Sequence, residues 1–307
     1  MHRVAVVDVG THSILYLLAE IDAKREVVSV YQEIQSVRLG RNVDNVGTIQ
    51  GEVLSEALQV LKHYRELASK QEAEQIVVVG TQVFRTAKNE ETVREAIQRE
   101  TGLNLLILTE KEEAEWSYQG AVYGRDLEGP TSVGDIGGGS TEIILSDGDK
   151  IVDFESIRLG AVGLTEKFIH HDPPLQTECG SMEEHVLSSL EEVTNSLLKP
   201  GKRLVGVGGT VTTLAALDLR LKKYDPDRVD GYSMRYSNIE DMTDRMKRIP
   251  LAERKNLLKL DPKRADIILA GATVLKACMA SGGFEEVIVS DRGLRFGIAL
   301  RELTTNR

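Results

Sequence analysis

One pattern occurs twice along this chain, and it constrains the fold more than any other feature. An apolar run ends in Asp8 and continues as Val-Gly-Thr-His-Ser, and a second run ends in Asp135 and continues as Ile-Gly-Gly-Gly-Ser. A β-rich stretch that ends in Arg-Leu-Gly follows each copy, at residues 38–40 and 158–160. The repeat is far longer than the ~20–50 residues of a solenoid unit, so it indicates a duplicated domain. Two like halves that face each other would form a central cleft.

Composition restricts the class of protein and its partners. The 307 residues carry a formal net charge of −10. Nucleic-acid-binding surfaces usually carry a basic stripe, so no nucleic-acid partner is expected. The chain has no run of ~18 apolar residues and its start is too short for a signal peptide, so we expect no membrane association. Cys179 and Cys278 belong to no Cys-x-x-Cys motif, which favours a reducing compartment and predicts a cytoplasmic protein.

Hydrophobic periodicity predicts a two-domain α/β protein. The first half reads as three meander strands followed by alternating helices and strands, and the second half repeats that beginning. The predicted strands are 4–7, 15–21, 27–39, 76–79, 103–108, 131–135, 141–145, 151–159, 204–207 and 287–289. The predicted helices are 52–69, 90–100, 111–123, 181–198, several within 238–281, and 293–303. Gly, Pro and charges interrupt the pattern at 124–130, so we predict domains 1–125 and 126–307, with helix 293–303 able to pack back on the first.

The strongest local signal lies in the second copy of the repeat, at residues 135–142. Three successive glycines, Gly137, Gly138 and Gly139, let a backbone approach a bulky anion closely. Asp135 and Glu142 flank this loop, and carboxylate oxygens suit a Mg²⁺ ion that bridges to phosphate. A flexible turn with two solvated acids is the alternative. The matching copy at Asp8 favours the phosphate site, because two unrelated loops would not match.

Two further segments carry residues suited to phosphate. Gly208, Gly209 and Thr210 follow a predicted strand and open a helix, the context in which backbone N–H groups bind phosphate. A tight structural turn explains that segment equally well. Arg85 follows another predicted strand, at the end where α/β proteins bind ligands, and a guanidinium there could clamp phosphoryl oxygens. The alternative for Arg85 is a surface side chain at a helix start.

Acidic and titratable residues offer candidates for acid–base chemistry. Glu112 and Glu113 open a helix, where acids usually favour the helix dipole. The functional interpretation is that one of them is a general base for water. His12 lies inside the first turn, where it either hydrogen-bonds the turn or contacts phosphate and adds charge near neutral pH.

Taken jointly, these motifs resemble the exopolyphosphatase and guanosine pentaphosphate phosphatase (Ppx/GppA) family nearly from end to end. The segments that carry the resemblance are 8–10, 38–40, 81–89, 101–103, 112–114, 135–142, 160–166, 206–210, 224–226, 231–232, 264–268 and 290–295. The order of the two mixed sheets resembles the duplicated ribonuclease-H-like fold of actin and the sugar kinases, with two domains around a central cleft.

The resemblance implies Mg²⁺-dependent hydrolysis of the terminal phosphoanhydride of polyphosphate, with release of orthophosphate. By motif, Glu113 is implied as the general base, and Asp135 and Glu142 as ligands of Mg²⁺, with a monovalent cation as a further option. The implied phosphate-binding residues are Thr11, His12, Ser13, Arg85, Gly137, Gly138, Gly139, Ser140, Gly208, Gly209 and Thr210. Phosphoryl transfer depends on positioning and charge neutralisation, which such a set can supply. The resemblance also implies a homodimer.

Three departures from the family pattern bear on these expectations. The first turn of the family usually reads Ser-Asn-Ser, and here His12 replaces the amide. Thr109-Glu110-Lys111 stands before the acid pair where the family often has Ser-Gly. The chain corresponds to the short, two-domain form of the family, which favours short polyphosphate or nucleotide phosphates as substrates.

Several functions therefore stay open from the sequence. Guanosine pentaphosphate (pppGpp) phosphohydrolase is the closest alternative to exopolyphosphatase, because both need the same catalytic residues. An ATP-dependent small-molecule kinase would need an acceptor site, and the acid pair at 112–113 favours water instead. A non-catalytic polyphosphate or alarmone sensor would bind without turnover, and His12 is the feature that leaves room for it.

Overall fold

The computed structural model describes residues 2–127, 129–194, 196–198 and 203–305, and the side chains of these residues except 192, 194 and 305. The chain divides into two compact units. Unit 1 comprises residues 1–120 and 294–307, and unit 2 comprises residues 121–293. Residue 128, within the predicted boundary segment 124–130, lies outside the described residues. None of the described helices is long and apolar enough to span a membrane.

Unit 1 contains a five-stranded sheet with helices packed against it. Its elements are β1 (Arg3–Val9), β2 (Ser13–Ile21), β3 (Val27–Ser36), α1 (Val43–Val46), α2 (Gly51–Lys70), β4 (Gln75–Gly80), α3 (Gln82–Thr86), α4 (Glu90–Thr101), β5 (Leu105–Ile107) and α5 (Glu110–Val122), whose last turn passes into unit 2. The strand order is β3-β2-β1-β4-β5. β1, β2 and β3 form an antiparallel meander, and β4 and β5 add to β1 in parallel.

Unit 2 repeats this arrangement with one additional strand. Its elements are β6 (Pro130–Ile136), β7 (Thr141–Asp147), β8 (Lys150–Ile157), α6 (Ala161–Phe168), α7 (Gln176–Thr194), β9 (Arg203–Val207), α8 (Gly209–Asp218), α9 (Pro226–Val229), β10 (Ser233–Arg235), α10 (Tyr236–Arg248), α11 (Leu251–Leu257), a short 3-10 helix (Pro262–Arg264), α12 (Ile268–Gly282) and β11 (Glu286–Val289). The strand order is β10-β11-β9-β6-β7-β8. α13 (Leu294–Thr305) then returns to unit 1 and packs on β1.

The shared order of meander and parallel strands confirms the predicted duplicated ribonuclease-H-like α/β fold. Local sequence explains the central elements. β1 is apolar from Val4 to Val7 and buried from Val4 to Val9, as expected for a strand covered on both faces. α2 buries Ala57, Leu61 and Tyr64 at helical spacing and leaves charges on its other face. α12 is apolar all round and forms the centre of the unit 2 core.

Short elements are where the fold differs from the sequence prediction. The four-residue α1, the five-residue α3 and the eight-residue α6 had no predicted counterpart. The predicted strand 103–108 shortens to β5, and the predicted helix 181–198 begins earlier, at Gln176. Cys179 and Cys278 are both free thiols in the unit 2 core, and burial raises the pKa of each.

Candidate active site

The first glycine turn joins β1 to β2 and is held by the segment that follows β3. Within the turn, the N–H of Gly10 donates to the carbonyl of Ser13 over 3.0 Å. From outside it, the N–H of Gly40 donates to the carbonyl of Thr11 over 2.9 Å. A Cβ at residue 40 would lie 2.2 Å from Cγ2 of Thr11, so only glycine fits against the turn without displacing that side chain.

The second glycine turn has the same construction in unit 2. The N–H of Gly137 donates to the carbonyl of Ser140 over 3.0 Å, and the N–H of Ala161 donates to the carbonyl of Gly137 over 3.1 Å. A Cβ at Gly160 would lie 2.2 Å from the carbonyl carbon of Gly139. The repeated Arg-Leu-Gly motif therefore has a structural role, because its glycine lets the backbone pack closely against each glycine turn.

Side chains of the first turn are mostly withdrawn from solvent. Thr11, His12 and Ser13 are each less than a tenth exposed. Nδ1 of His12 lies 2.9 Å from Oγ of Ser13, so the ring hydrogen-bonds within the turn, one of the two possibilities for this residue. Oγ1 of Thr11 lies 3.4 Å from Oε1 of Gln82, at the start of α3.

Arg85 and Glu113 form an ion pair within unit 1. Arg85 lies on α3, directly after β4, and Glu113 lies in the first turn of α5, after β5. Nη1 of Arg85 lies 2.6 Å from Oε2 of Glu113 and 2.9 Å from the carbonyl oxygen of Leu108. Nη2 of the same guanidinium is buried and has no hydrogen-bond partner among the described residues. The side chain of Arg85 is 17% exposed, which favours the functional interpretation over a surface arginine.

Glu112 and Glu113 have different environments although they are adjacent. The N–H and the hydroxyl of Thr109 donate to Oε2 of Glu112, and the N–H of Glu112 donates back to Oγ1 of Thr109. This reciprocal pair is a capping box at the start of α5. The backbone hydrogen bond from Thr109, followed by that of its hydroxyl, lowers the pKa of Glu112. Glu112 therefore caps the helix, whereas Glu113 is buried and contacts Arg85.

Asp135 and Glu142 are direct cross-strand neighbours in unit 2. The antiparallel register of β6 and β7 pairs the two residues, so their side chains project from the same face of the sheet. Oε1 of Glu142 accepts hydrogen bonds of 2.7 Å from the hydroxyls of Ser140 and Ser156. Glu142 is only 2% exposed, which shows that the carboxylate is held rather than solvated.

The donor set of this pair suits Mg²⁺. Among the described residues, no group of three or more His, Cys, Asp or Glu side chains could hold a metal ion, so the acids would act as a pair. Mg²⁺ usually keeps several waters and binds one or two carboxylates together with substrate phosphates. Two hard carboxylates beside a glycine turn fit that preference, whereas a structural zinc site would need nitrogen or sulfur ligands.

The third glycine segment lies close to Asp135. Gly208 has a φ of 95°, and a Cβ there would lie 2.6 Å from the carbonyl oxygen of Ile136 and 3.0 Å from Oδ1 of Asp135. Gly209 begins α8, and a Cβ on it would lie 2.3 Å from the guanidinium of Arg264. The guanidinium of Arg264, whose Nε donates to Oδ2 of Asp261 over 3.0 Å, therefore lies beside the N-terminus of α8.

In each unit, the candidate residues gather where parallel strands end. In unit 1, the segments that follow β1, β4 and β5 carry Thr11, His12, Ser13, Arg85 and Glu113. In unit 2, the segments around the ends of β6 and β9 carry Asp135, Gly137, Gly138, Gly139, Ser140, Glu142, Gly208, Gly209 and Thr210. Two neighbours of these groups had no predicted role. Arg264 could have been found from the sequence, because it begins segment 264–268, which is part of the family resemblance. Ser156 is identified only by strand register.

The class of protein is thus a duplicated ribonuclease-H-like α/β protein with paired acids and glycine turns at its strand ends. The Ppx/GppA phosphatase family profile matches residues 17–306. Exopolyphosphatase 2 of Mycobacterium tuberculosis is 32% identical over 97% of this chain and 98% of its own length. The chain therefore belongs to the Ppx/GppA phosphatase family and is a phosphohydrolase.

Solved structures agree with this assignment. The crystal structure of the Aquifex aeolicus member of the Ppx/GppA family superimposes with a TM-score of 0.84, at 34% identity over 100% of this chain and 99% of the other. An exopolyphosphatase from Cytophaga hutchinsonii superimposes with a TM-score of 0.90 over 99% of this chain and 98% of the other. At 22% identity, that likeness concerns the fold alone.

Proposed function

We propose that this phosphohydrolase is an exopolyphosphatase, which removes terminal orthophosphate from inorganic polyphosphate in the presence of Mg²⁺. The observation that carries the proposal is the ion pair between the buried Glu113 and Arg85. The adjacent acid, Glu112, already caps the helix. A buried carboxylate that is held by a guanidinium at the end of a parallel strand is a candidate functional group. The name of the mycobacterial relative, exopolyphosphatase 2, supports the substrate.

In the proposed reaction, Glu113 accepts a proton from water while the water oxygen bonds to the terminal phosphorus. The bridging P–O bond breaks, and the electron pair leaves with the shortened polyphosphate chain. General-base catalysis of this kind typically contributes ~10²–10⁴-fold to the rate. The base needs no covalent intermediate, because phosphoryl transfer is governed by positioning and by neutralisation of charge.

Arg85 is proposed to serve both the base and the phosphoryl group. Nη1 fixes the orientation of the Glu113 carboxylate, and the buried Nη2 is a donor for a phosphoryl oxygen. A planar guanidinium can make both contacts at once, because its donors point in fixed directions. The same group can therefore hold the base and the reacting phosphate in a fixed relation.

The three glycine segments are proposed to bind phosphoryl oxygens. The residues concerned are Thr11, His12 and Ser13 in unit 1, and Gly137, Gly138, Gly139, Ser140, Gly208, Gly209 and Thr210 in unit 2. The five glycines of this set keep side chains away from a bulky anion and allow backbone N–H donors to approach it, and the threonine and serine residues add hydroxyl donors. The guanidinium of Arg264 lies beside Gly209 with its Nε paired to Asp261, and we propose that its Nη groups are further donors at the start of α8.

Asp135 and Glu142 are proposed to hold the Mg²⁺ ion. When bound, Mg²⁺ neutralises charge that develops on the phosphoryl oxygens and orients the substrate. The two hydroxyls on Oε1 of Glu142 keep that carboxylate in one orientation before any ion arrives. A monovalent cation as a second ion remains a further proposal from the family resemblance.

Hydrolysis of pppGpp is the second candidate function. The family resemblance implies both activities, and each reaction transfers a terminal phosphoryl group to water. The residues proposed for catalysis are therefore common to both substrates. From the family resemblance we also propose that the protein is cytoplasmic and forms a homodimer. Light scattering after size exclusion would test the homodimer.

The experiment that tests the proposal measures orthophosphate release with Mg²⁺ from long polyphosphate, tripolyphosphate, pppGpp and ATP in parallel. We expect the highest kcat/KM with polyphosphate. Preference for pppGpp would replace the proposed substrate and keep the mechanism. Formation of ADP from ATP without orthophosphate, and only when a small-molecule acceptor is present, would indicate a kinase. Binding of all four without turnover would overturn the enzyme mechanism and indicate a sensor.

A further inference from the structure

Glu142 is held by a residue that lies on a different strand from the glycine turn. Ser156 is on β8, and the register of β7 and β8 places it directly opposite Glu142. Its hydroxyl donates to Oε1 of Glu142 over 2.7 Å, the same distance as the hydroxyl of Ser140. One carboxylate oxygen thus accepts two hydroxyl donors, which fixes the rotation of the carboxylate about its last bond.

The equivalent position in unit 1 shows that the fold itself does not require this serine. Leu15 pairs with Asp8 just as Glu142 pairs with Asp135. The residue opposite Leu15 on the next strand is Ile34, which is 51% exposed. The duplicated fold therefore accepts two apolar residues at this cross-strand pair, and the hydroxyl is present in the unit that carries the acid.

We propose that Ser156 is a positioning residue that orients the Glu142 carboxylate for a divalent cation. The inference rests on the proposed role of Asp135 and Glu142 as metal ligands. Hydrogen-bond partners of metal ligands fix the ligand geometry, and their loss typically weakens metal affinity or activity by about 10–100-fold. Ser140 donates to the same oxygen from the glycine turn, so loss of Ser156 would leave Oε1 with one of these two hydroxyl donors.

The test measures binding of Mn²⁺, a spectroscopic substitute for Mg²⁺, to the whole chain by electron paramagnetic resonance. We expect Ser156→Ala to weaken Mn²⁺ binding roughly 10-fold, and Ser156→Thr, which keeps a hydroxyl, to restore most of it. The Mg²⁺ concentration needed for half-maximal phosphate release should rise in parallel. KM for polyphosphate at saturating Mg²⁺ should stay at its parental value.

A matched control comes from the same sheet. Ser146 on β7 is fully buried, and its hydroxyl donates to the carbonyl of Thr131 rather than to an acid. Ser146→Ala removes a hydroxyl from the sheet and should leave Mn²⁺ binding unchanged. If Ser146→Ala and Ser156→Ala weaken binding equally, the effect is general loosening of the sheet, and the positioning role is overturned.

Glu142→Gln separates this inference from the proposed function. Weaker Mn²⁺ binding in Glu142→Gln, together with parental binding in Ser156→Ala, would overturn the role of Ser156 alone. Parental binding in both Glu142→Gln and Asp135→Asn would overturn the metal site itself, and the role of Ser156 with it.

Discussion

Nη1 of Arg85 lies 2.6 Å from Oε2 of Glu113, and both side chains are largely shielded from solvent. The two residues come from different helices, α3 and α5, each of which begins soon after a parallel strand of the same sheet. A charge pair of this kind holds its acid in one orientation, because the guanidinium is planar and its donors are fixed.

Replacing Arg85 should strongly reduce activity. We expect Arg85→Ala to lower kcat/KM for polyphosphate by roughly 100–1,000-fold, the size typical for loss of one electrostatic donor. Arg85→Lys should recover only a small part, because an ammonium group cannot contact the base and a phosphoryl oxygen in the same geometry. Added guanidinium at millimolar concentration should partly rescue Arg85→Ala and have little effect on Arg85→Lys. Full activity of Arg85→Lys would contradict a two-contact role.

The capping role of Glu112 predicts a separation between stability and catalysis. Glu112→Ala should lower the free energy of unfolding by roughly 1 kcal/mol, because the capping box at the start of α5 is lost. Glu112→Gln should keep most of that stability, since glutamine also serves in a capping box. Urea unfolding and phosphate release on the same samples would check this. A loss of kcat in Glu112→Gln comparable with that of Glu113→Gln would show that the base has been assigned to the wrong acid.

Contact between Gly160 and the second glycine turn predicts a strong effect of one methyl group. Gly160→Ala should destabilise the protein by about 1–3 kcal/mol, because the new Cβ would press on the backbone of Gly139 and not on a movable side chain. Gly180→Ala is the control. A Cβ at that position in α7 meets nothing within 4 Å, and alanine should raise helix stability by about 0.5–1 kcal/mol. Opposite shifts in thermal unfolding are expected, and equal shifts would argue against the contact.

Glu178 predicts a pH dependence of stability. The side chain of His171, together with the backbone N–H groups of Leu175 and His170, lowers the pKa of Glu178 to about 2. A lowered pKa in the folded state stabilises the protein above the ordinary value of 4.5, and that contribution disappears as the pH falls toward 2. Glu178→Gln should therefore reduce Tm at pH 7, and the difference should shrink between pH 4.5 and 2. Exposed Glu184 on the same helix provides the control, since Glu184→Gln should leave Tm unchanged both at pH 7 and at low pH.

The main elements could be predicted because they have clear patterns. The continuous apolar run of β1 and the helical spacing of Leu61 and Tyr64 in α2 are strong local signals. Helices of four or five residues, such as α1 and α3, contain too few turns to show a period. The duplication could be recognised because each half has glycine at two equivalent points, in the turn after its first strand and in the Arg-Leu-Gly motif.

Side-chain relationships were harder to predict than strands. The pair Glu112 and Glu113 looks equivalent along the sequence, and only the contact with Thr109 separates a cap from a buried acid. Ser156 contacts Glu142 from the neighbouring strand, and only the strand register shows that the two residues are opposite each other. Arg264 approaches Gly209 from a distant segment of the chain, so nothing local to either residue indicates the contact.

The central claim is that Glu113 activates water for attack on a terminal phosphoryl group. It is tested most directly by hydrolysing polyphosphate in ¹⁸O-enriched water with parent protein and with Glu113→Gln, which has nearly the same shape. We expect one ¹⁸O atom in each orthophosphate released by the parent, and a release rate at least ~100-fold lower for Glu113→Gln. Parental rates for Glu113→Gln, or release of unlabelled orthophosphate, would contradict it.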